Sequence, residues 1–163
     1  MQRLFIDMDG VVADFDKMAE AVLGYRLGRG LRYPPKDWKK IVEANDRFYR
    51  SLELCEGALE FMEQIKYLIL KYNLDVKFLT AIPKDNDVPW AVHDKTNWAQ
   101  RHFPGFPVWI GPYSDDKIQH CRPGDILIDD RIKTITDWNI MGGVGILHTG
   151  DLKASLKEIA SLF

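Results

Sequence analysis

Cysteine is nearly missing from this chain: among 163 residues only Cys55 and Cys121 occur. Neither sits in a C-x-x-C pair or another ligand-like spacing, so a thiolate metal site and a disulfide framework have no support. The two read as reduced thiols of a cytoplasmic protein. An excess of basic charge is missing too, with 22 Lys and Arg against 24 Asp and Glu and a net charge of -2. That leaves no basic face for duplex nucleic acid, and any anionic ligand must be held by a local cluster of donors. No apolar run is long enough to span a bilayer, and no basic segment leads into an apolar core at the N-terminus. The expectation is a soluble, cytoplasmic protein with no membrane partner. Internal repeats and low-complexity segments are also absent, and the length suits one cored domain with or without a small insertion.

What is present alternates. Five short segments rich in Val, Ile, Leu and Phe read as strands buried on both faces: 3–7, 75–80, 107–110, 125–129 and 144–148. Helical patterns fall between them at 57–72, 89–103 and 132–141, with another at 152–162. This alternation predicts an α/β fold, a doubly wound parallel sheet of five strands. Between the first strand and the helix at Gly57 lie some fifty residues without a strand signal. A β-α-β connection needs far fewer. Short helices fit 14–23 and 35–50, so residues 15–56 are expected to form a small helical cap. Residues 1–14 and 57–163 would then form the core.

The stretch "LFIDMDGVVADFD" (4–16) places four aspartates within ten positions, directly after a buried run. Like charges so close need a positive partner. In doubly wound sheets ligands bind beyond the carboxyl ends of the strands. Those ends carry Asp7 with Asp9, then Thr80, then Lys117 in "SDDK", then Asp129 and Asp130 followed by Arg131. Carboxylates, a hydroxyl and cations gathered at one point suit phosphoryl transfer. Oxygen-only ligands favour Mg²⁺. An aspartate can attack phosphorus, a second can protonate the leaving oxygen, and Thr80 and Lys117 can hold the phosphate oxygens. Gly10 would allow a sharp turn after the acids. Taken singly, "DMDG" could be an exposed turn, Thr80 a strand-end hydroxyl, Lys117 a solvated surface lysine and Asp129–Asp130 a helix cap. Their recurrence at successive strand ends favours a site. A calcium loop of EF-hand type fails, because Gly10 is the fourth residue of the loop and a strand precedes it.

"FIDMDGVVADFD", "FLTA", "SDDK" and "ILIDDR" resemble the four motifs of the haloacid dehalogenase superfamily of phosphatases, in the usual order and over nearly the whole chain. Within that superfamily "DMDGVVAD", "IPK", "DKTNWAQRHF" and "LIDDR" resemble the 5'(3')-deoxyribonucleotidases. The resemblance implies Asp7 as nucleophile, Asp9 as general acid and base, and Thr80 and Lys117 as phosphate holders. It implies Mg²⁺ bound by Asp7, the Asp9 carbonyl and Asp130, with Asp129 behind. Lys84 and Lys95 match lysines near the phosphate in that family. Ala81 is a departure, since those nucleotidases often carry Ser after the Thr, and one phosphate hydroxyl is lost.

The expected activity is Mg²⁺-dependent hydrolysis of a (deoxy)nucleoside monophosphate through an aspartyl-phosphate, with a sugar phosphate or other small phosphoester as the alternative. A phospho-acceptor receiver shares the sheet and the residue types. Its phosphorylated acid would follow the third strand, where this chain has "WIGPY" instead. Among the cap aromatics Trp38, Phe48 and Tyr49, Phe48 is the expected stacking partner for a base, being nearest the return to the Gly57 helix. Trp98, Trp109 and Trp138 read as core. The histidines at 93, 102, 120 and 148 show no paired metal spacing and read as surface or capping groups. "GGVGILHTG" (142–150) reads as a turn into the last strand.

Overall fold

A computed structural model describes residues 1–163. Five strands form one parallel sheet in the order β3-β2-β1-β4-β5. They are β1 (Gln2–Ile6), β2 (Leu74–Thr80), β3 (Val108–Ile110), β4 (Ile126–Asp129) and β5 (Val144–Leu147). The core strands do not alternate in polarity because both faces are covered. Leu4, Ile6, Val76, Phe78, Ile126, Ile128 and Ile146 join the larger hydrophobic cluster on one face. That face is packed by α3 (Ala58–Tyr72), α4 (Ala91–His102) and α6 (Leu152–Ala160). Phe5, Leu79 and Leu127 point the other way, against Ile135 and Trp138 of α5 (Ile132–Ile140). The predicted doubly wound α/β sheet is the observed one, with no strand bound shifted by more than one residue.

Chain order reverses beside β1, which lies between β2 and β4 with matched registers such as Ile6 to Phe78 and Ile6 to Ile128. Such a switch point opens a crevice at the strand ends. Asp7 and Asp9 follow β1 into it, and Gly10 (φ 79°) turns the chain there. A Cβ at Gly10 would fall 2.0 Å from Asp130 Oδ2, so the glycine allows the first and fourth motifs to touch.

Above these ends lie α1 (Phe15–Leu23), α2 (Pro35–Ala44) and a 3₁₀ turn at Phe48–Ser51. Asp14 caps α1 by accepting from Lys17 N at 3.0 Å, and Pro35 starts α2. The single helix expected over 35–50 breaks at Asn45. Its backbone is extended there, and its Oδ1 accepts from Arg47 N at 2.9 Å, offering the chain a local alternative to the helix. Arg47 then reaches α4, donating twice at 2.7 Å to the buried Asp94 while lying over the Trp90 ring. Trp98 also donates from Nε1 to Leu52 O at 2.8 Å. These bonds hold the base of the inserted segment on the sheet-covering helix. No helix is long and apolar enough to cross a membrane.

Candidate active site

Lys117 is the hub of the strand-end cluster. It comes from a 3₁₀ segment, Ser114–His120, that follows β3, and its ammonium is buried. It lies 2.8 Å from Asp7 Oδ1 and 2.7 Å from Asp129 Oδ2. Burial alone would push this ammonium towards neutrality; Asp129 and Asp7 outweigh it and raise its pKa, so it stays charged. Asp7 Oδ1 also accepts from Met8 N at 2.8 Å. Both oxygens of Asp129 are engaged, one by Lys117 and the other by Arg131 N at 2.9 Å.

A second lysine serves Asp9. Lys95, on α4, donates to Asp9 Oδ2 at 2.5 Å and to Thr80 Oγ1 at 2.9 Å, with its ammonium 4.4 Å from the centre of the Tyr49 ring. The other oxygen, Asp9 Oδ1, is buried with no hydrogen-bond partner. Such an atom costs about 1–3 kcal/mol unless something supplies a partner. Burial, and then the charge of Asp7, raise the Asp9 pKa against the opposing pull of Lys95. Asp130 is pushed up to about 8 by burial and by Asp7 and Asp129. Burial and Asp7 push Asp129 up as well, despite Lys117.

Oxygens of Asp7, Asp129 and Asp130 all lie within 4.8 Å of one another. Hard oxygen donors this crowded, with an orphaned carboxylate oxygen nearby, fit a small divalent cation. Beside them opens a cavity of about 490 Å³. Its floor is Asp7, Asp9, Lys117 and Asp130; Ala81, Lys84 and Arg131 stand at its side; Phe15, Tyr33, Trp38 and Tyr49 form an aromatic wall.

The profile of the 5' nucleotidase, deoxy (pyrimidine), cytosolic type C proteins matches residues 1–153. The chain belongs to this family. It is a phosphoric monoester hydrolase. A curated relative from Staphylococcus epidermidis, provisionally named a 5'(3')-deoxyribonucleotidase, is 26% identical over 161 residues, covering 91% of this chain and 83% of the relative. Two solved structures share the fold at 14% identity and a TM-score of 0.53. One is a D,D-heptose 1,7-bisphosphate phosphatase from B. bronchiseptica, covered in full on both sides; the other is a hydrolase from Streptococcus pneumoniae, with 98% of each chain covered.

The structure brings Asp7, Asp9, Ala81, Lys84, Lys117, Asp130 and Arg131 to one cavity. Lys95 and Asp129 stand one layer behind its lining, bonded to Asp9 and Lys117, and Thr80 lies behind Lys95, accepting from its ammonium. Phe48 is a correction. Its ring is 1% exposed, packed edge-on to Phe15 and Trp38 inside the cap, and has no face left for a base. His148 is another, being buried at the end of β5 rather than placed at the surface.

Three contributors were missed: Phe15, Tyr33 and Arg29. Arg29 Nη1 donates to Gly10 O at 2.5 Å, tying the inserted segment to the turn after Asp9. "GRGLR" (28–32) offered a signal, since Gly30 (φ 71°) would bring a Cβ within 2.2 Å of Asp130 O. Phe15 and Tyr33 resembled ordinary cap packing, and nothing in their spacing marked them.

Proposed function

We propose that this enzyme is a cytoplasmic, Mg²⁺-dependent nucleotidase that hydrolyses (deoxy)nucleoside monophosphates through an aspartyl-phosphate on Asp7. The observation that carries this reading is the carboxylate cluster with its two lysines, set under an aromatic-walled cavity in a chain of this nucleotidase family. Residues 1–14 and 57–163 serve as catalytic core and residues 15–56 as cap.

The cation would be held by Asp7, the Asp9 main-chain carbonyl and Asp130. Asp130 suits direct contact because its carboxylate makes no hydrogen bond within the protein and faces the cavity, whereas both oxygens of Asp129 are taken. Asp129 then acts from behind by holding Lys117. When bound, the cation offsets the carboxylate charge and that of a phosphate oxygen. The fold relative from B. bronchiseptica was solved with magnesium and phosphate, which agrees with this choice.

Lys117 and Met8 N fix Asp7 Oδ1, so Oδ2 is left without a protein donor and is the oxygen available on the cavity side. Attack on phosphorus expels the nucleoside oxygen, and Asp9 protonates it; Asp9 then takes a proton from the water that hydrolyses the acyl phosphate. Lys95 restrains Asp9 during both transfers. Lys84 and Arg131 supply cations for the phosphate oxygens, which matters here because Ala81 brings no hydroxyl. Phe15, Tyr33, Trp38 and Tyr49 offer flat apolar surface to a base.

The test is phosphate release across nucleoside monophosphates, sugar phosphates and small phosphoacids, with Mg²⁺ and with excess EDTA. Expected are Mg²⁺-dependent turnover and highest kcat/KM on a deoxynucleoside monophosphate. A sugar phosphate turned over faster than every nucleotide would overturn the substrate class, and full activity in EDTA would overturn the metal.

A further inference from the structure

A second cavity, about 650 Å³, lies on the far side of the cap loop from the catalytic one. Gly30, Leu31, Arg32, Asp130 and Arg131 line both, so the two are neighbours across a single loop and the start of α5. The second cavity contains no aromatic wall. It is faced by Arg29, Arg32, Arg131 and Lys133, against Asp115 and Asp130 alone.

The balance of charges there is lopsided. Arg29 bonds a main-chain carbonyl and Arg131 the Ser114 hydroxyl, so neither guanidinium has a carboxylate partner. Asp115 is already shared by Arg32 at 3.5 Å and Lys133 at 3.3 Å, Lys133 is also paired with Asp137 at 2.6 Å just outside the cavity, and Asp130 belongs to the catalytic cluster, so the excess of positive charge comes from Arg29 and Arg131. The start of α5 adds to this positive field. It has no acidic residue in its first turn and no side-chain cap, so its first N–H groups lack a protein acceptor.

Two buried side chains point to a ligand. Thr134, in the first turn of α5, is 5% exposed, lines the cavity and makes no hydrogen bond through its hydroxyl. His148, 2% exposed at the end of β5, also lines it and is bonded only through Nδ1, 2.9 Å from Ser155 Oγ. If the Ser155 hydroxyl donates to Nδ1, the neutral ring carries its proton on Nε2, an unused donor. A hydroxyl, an imidazole N–H, uncapped backbone N–H groups and unpaired guanidinium groups together form an acceptor-poor set. The chemistry that satisfies it is a tetrahedral oxyanion.

We propose that this second cavity is a phosphate-binding subsite, distinct from the catalytic one and built from Thr134, His148, Arg29, Lys133 and the N-terminus of α5. The bound group is either free inorganic phosphate or a second phosphoryl group on a substrate whose scissile phosphate occupies the catalytic cavity. The site does not depend on the identity of the catalytic substrate.

Calorimetric titration of the Mg²⁺-loaded enzyme with inorganic phosphate tests it. Two binding events are expected in the wild type, one at each cavity. Thr134→Val and Lys133→Ala should each weaken one event by roughly ten-fold and leave the other alone, as loss of a charge-assisted contact predicts. His148→Gln keeps a side-chain N–H donor and should retain both events. Kinetics then distinguish the two sources. If the ligand is a substrate phosphoryl group, a nucleoside 3',5'-bisphosphate should show a lower KM than the 5'-monophosphate, and Thr134→Val should erase that advantage without changing monophosphate turnover. If it is free phosphate, the bisphosphate gains nothing and the second binding event persists. A single phosphate-binding event, unmoved by Thr134→Val and Lys133→Ala, would overturn the subsite. These binding measurements hold whether or not nucleotides prove to be the substrates.

Discussion

The two ends of the central strands both bury charge, and they do so in opposite ways. At the N-terminal end Arg3 and Asp125 form an ion pair in which both carboxylate oxygens are engaged. Arg3 Nε donates to Asp125 Oδ1 at 3.0 Å, and Nη2 donates to both Asp125 Oδ2 and His120 O. Arg122 N completes Asp125, and the guanidinium lies over Phe5 and Trp109. One cation meets one anion. At the C-terminal end four carboxylates, Asp7, Asp9, Asp129 and Asp130, meet two lysines, 95 and 117. Counted at full ionisation, four negative charges less two positive leave two, and one oxygen has no partner. A balanced buried pair completes itself; the unbalanced cluster leaves room for the divalent cation and substrate proposed above. This difference marks the structural end of the sheet and the chemical one.

Crossed substitutions should produce the largest contrast. Asp7→Asn removes the proposed nucleophile and should abolish turnover on every substrate, while the melting temperature of the metal-free protein should not fall, because the cluster sheds an excess charge. Arg3→Met should do the reverse. It strands Asp125 in the interior, which costs about 3–5 kcal/mol, yet the protein that remains folded at low temperature should keep its kcat. Arg3→Met with Asp125→Asn should recover much of that loss, since no buried charge is then left alone. Urea unfolding and kcat on the same three proteins check this. A large stability loss in Asp7→Asn, or a kcat loss in Arg3→Met, would erase the contrast.

The ends differed in how far they could be read from sequence. Asp7, Asp9, Thr80, Lys117 and the Asp129–Asp130 pair each follow a buried strand or its connecting loop, and strand ends are recognisable from apolar runs. Topology then does the gathering, because parallel strands in one sheet end on one side. The Arg3–Asp125 pair could not be seen, since its partners lie 122 positions apart at the starts of two strands, where charged residues are unremarkable. The cap was harder still. Its register depends on how Asn45 breaks the helix and how Arg47 finds Asp94, and these decide that Phe48 turns inward while Tyr49 reaches the cavity wall. Sequence order placed the aromatics in the cap but could not say which face each would show.

A smaller effect sharpens the comparison within the catalytic end itself. Asp7 and Asp9 stand two residues apart, but only Asp9 is expected to act through a proton. Asp9→Asn should therefore depend on the leaving group. In single turnovers it should slow phosphoryl transfer from a nucleoside monophosphate by ~10²-fold or more, the usual range for a general acid. A nucleoside oxygen needs that proton, whereas p-nitrophenolate leaves without it, so transfer from p-nitrophenyl phosphate should fall far less. Rapid-quench measurement of the phosphoenzyme on both substrates reads the difference. Equal losses would remove Asp9 from the proton's path.

The smallest expected effect concerns His148, the buried titratable group beside the catalytic end that takes no part in the carboxylate cluster. Burial first, and then the charge of Arg29, lower its pKa to about 4, with Asp151 pulling weakly the other way and Ser155 Oγ facing Nδ1. The folded pKa lies below the ordinary histidine value of about 6.5, so the unfolded chain binds the proton more tightly. Stability linked to this residue is therefore full above pH 6.5, falls as pH drops towards 4, and is flat below that. Between pH 7 and pH 5 the loss should be about 1–2 kcal/mol. His148→Gln cannot take up the proton in the unfolded state, so the difference between variant and wild type should close by that amount as pH falls. Urea unfolding at the two pH values provides the comparison, and it cancels the titration of carboxylates common to both proteins. A difference independent of pH would mean that the ring can be protonated where it stands, in a cavity wetter than its burial implies.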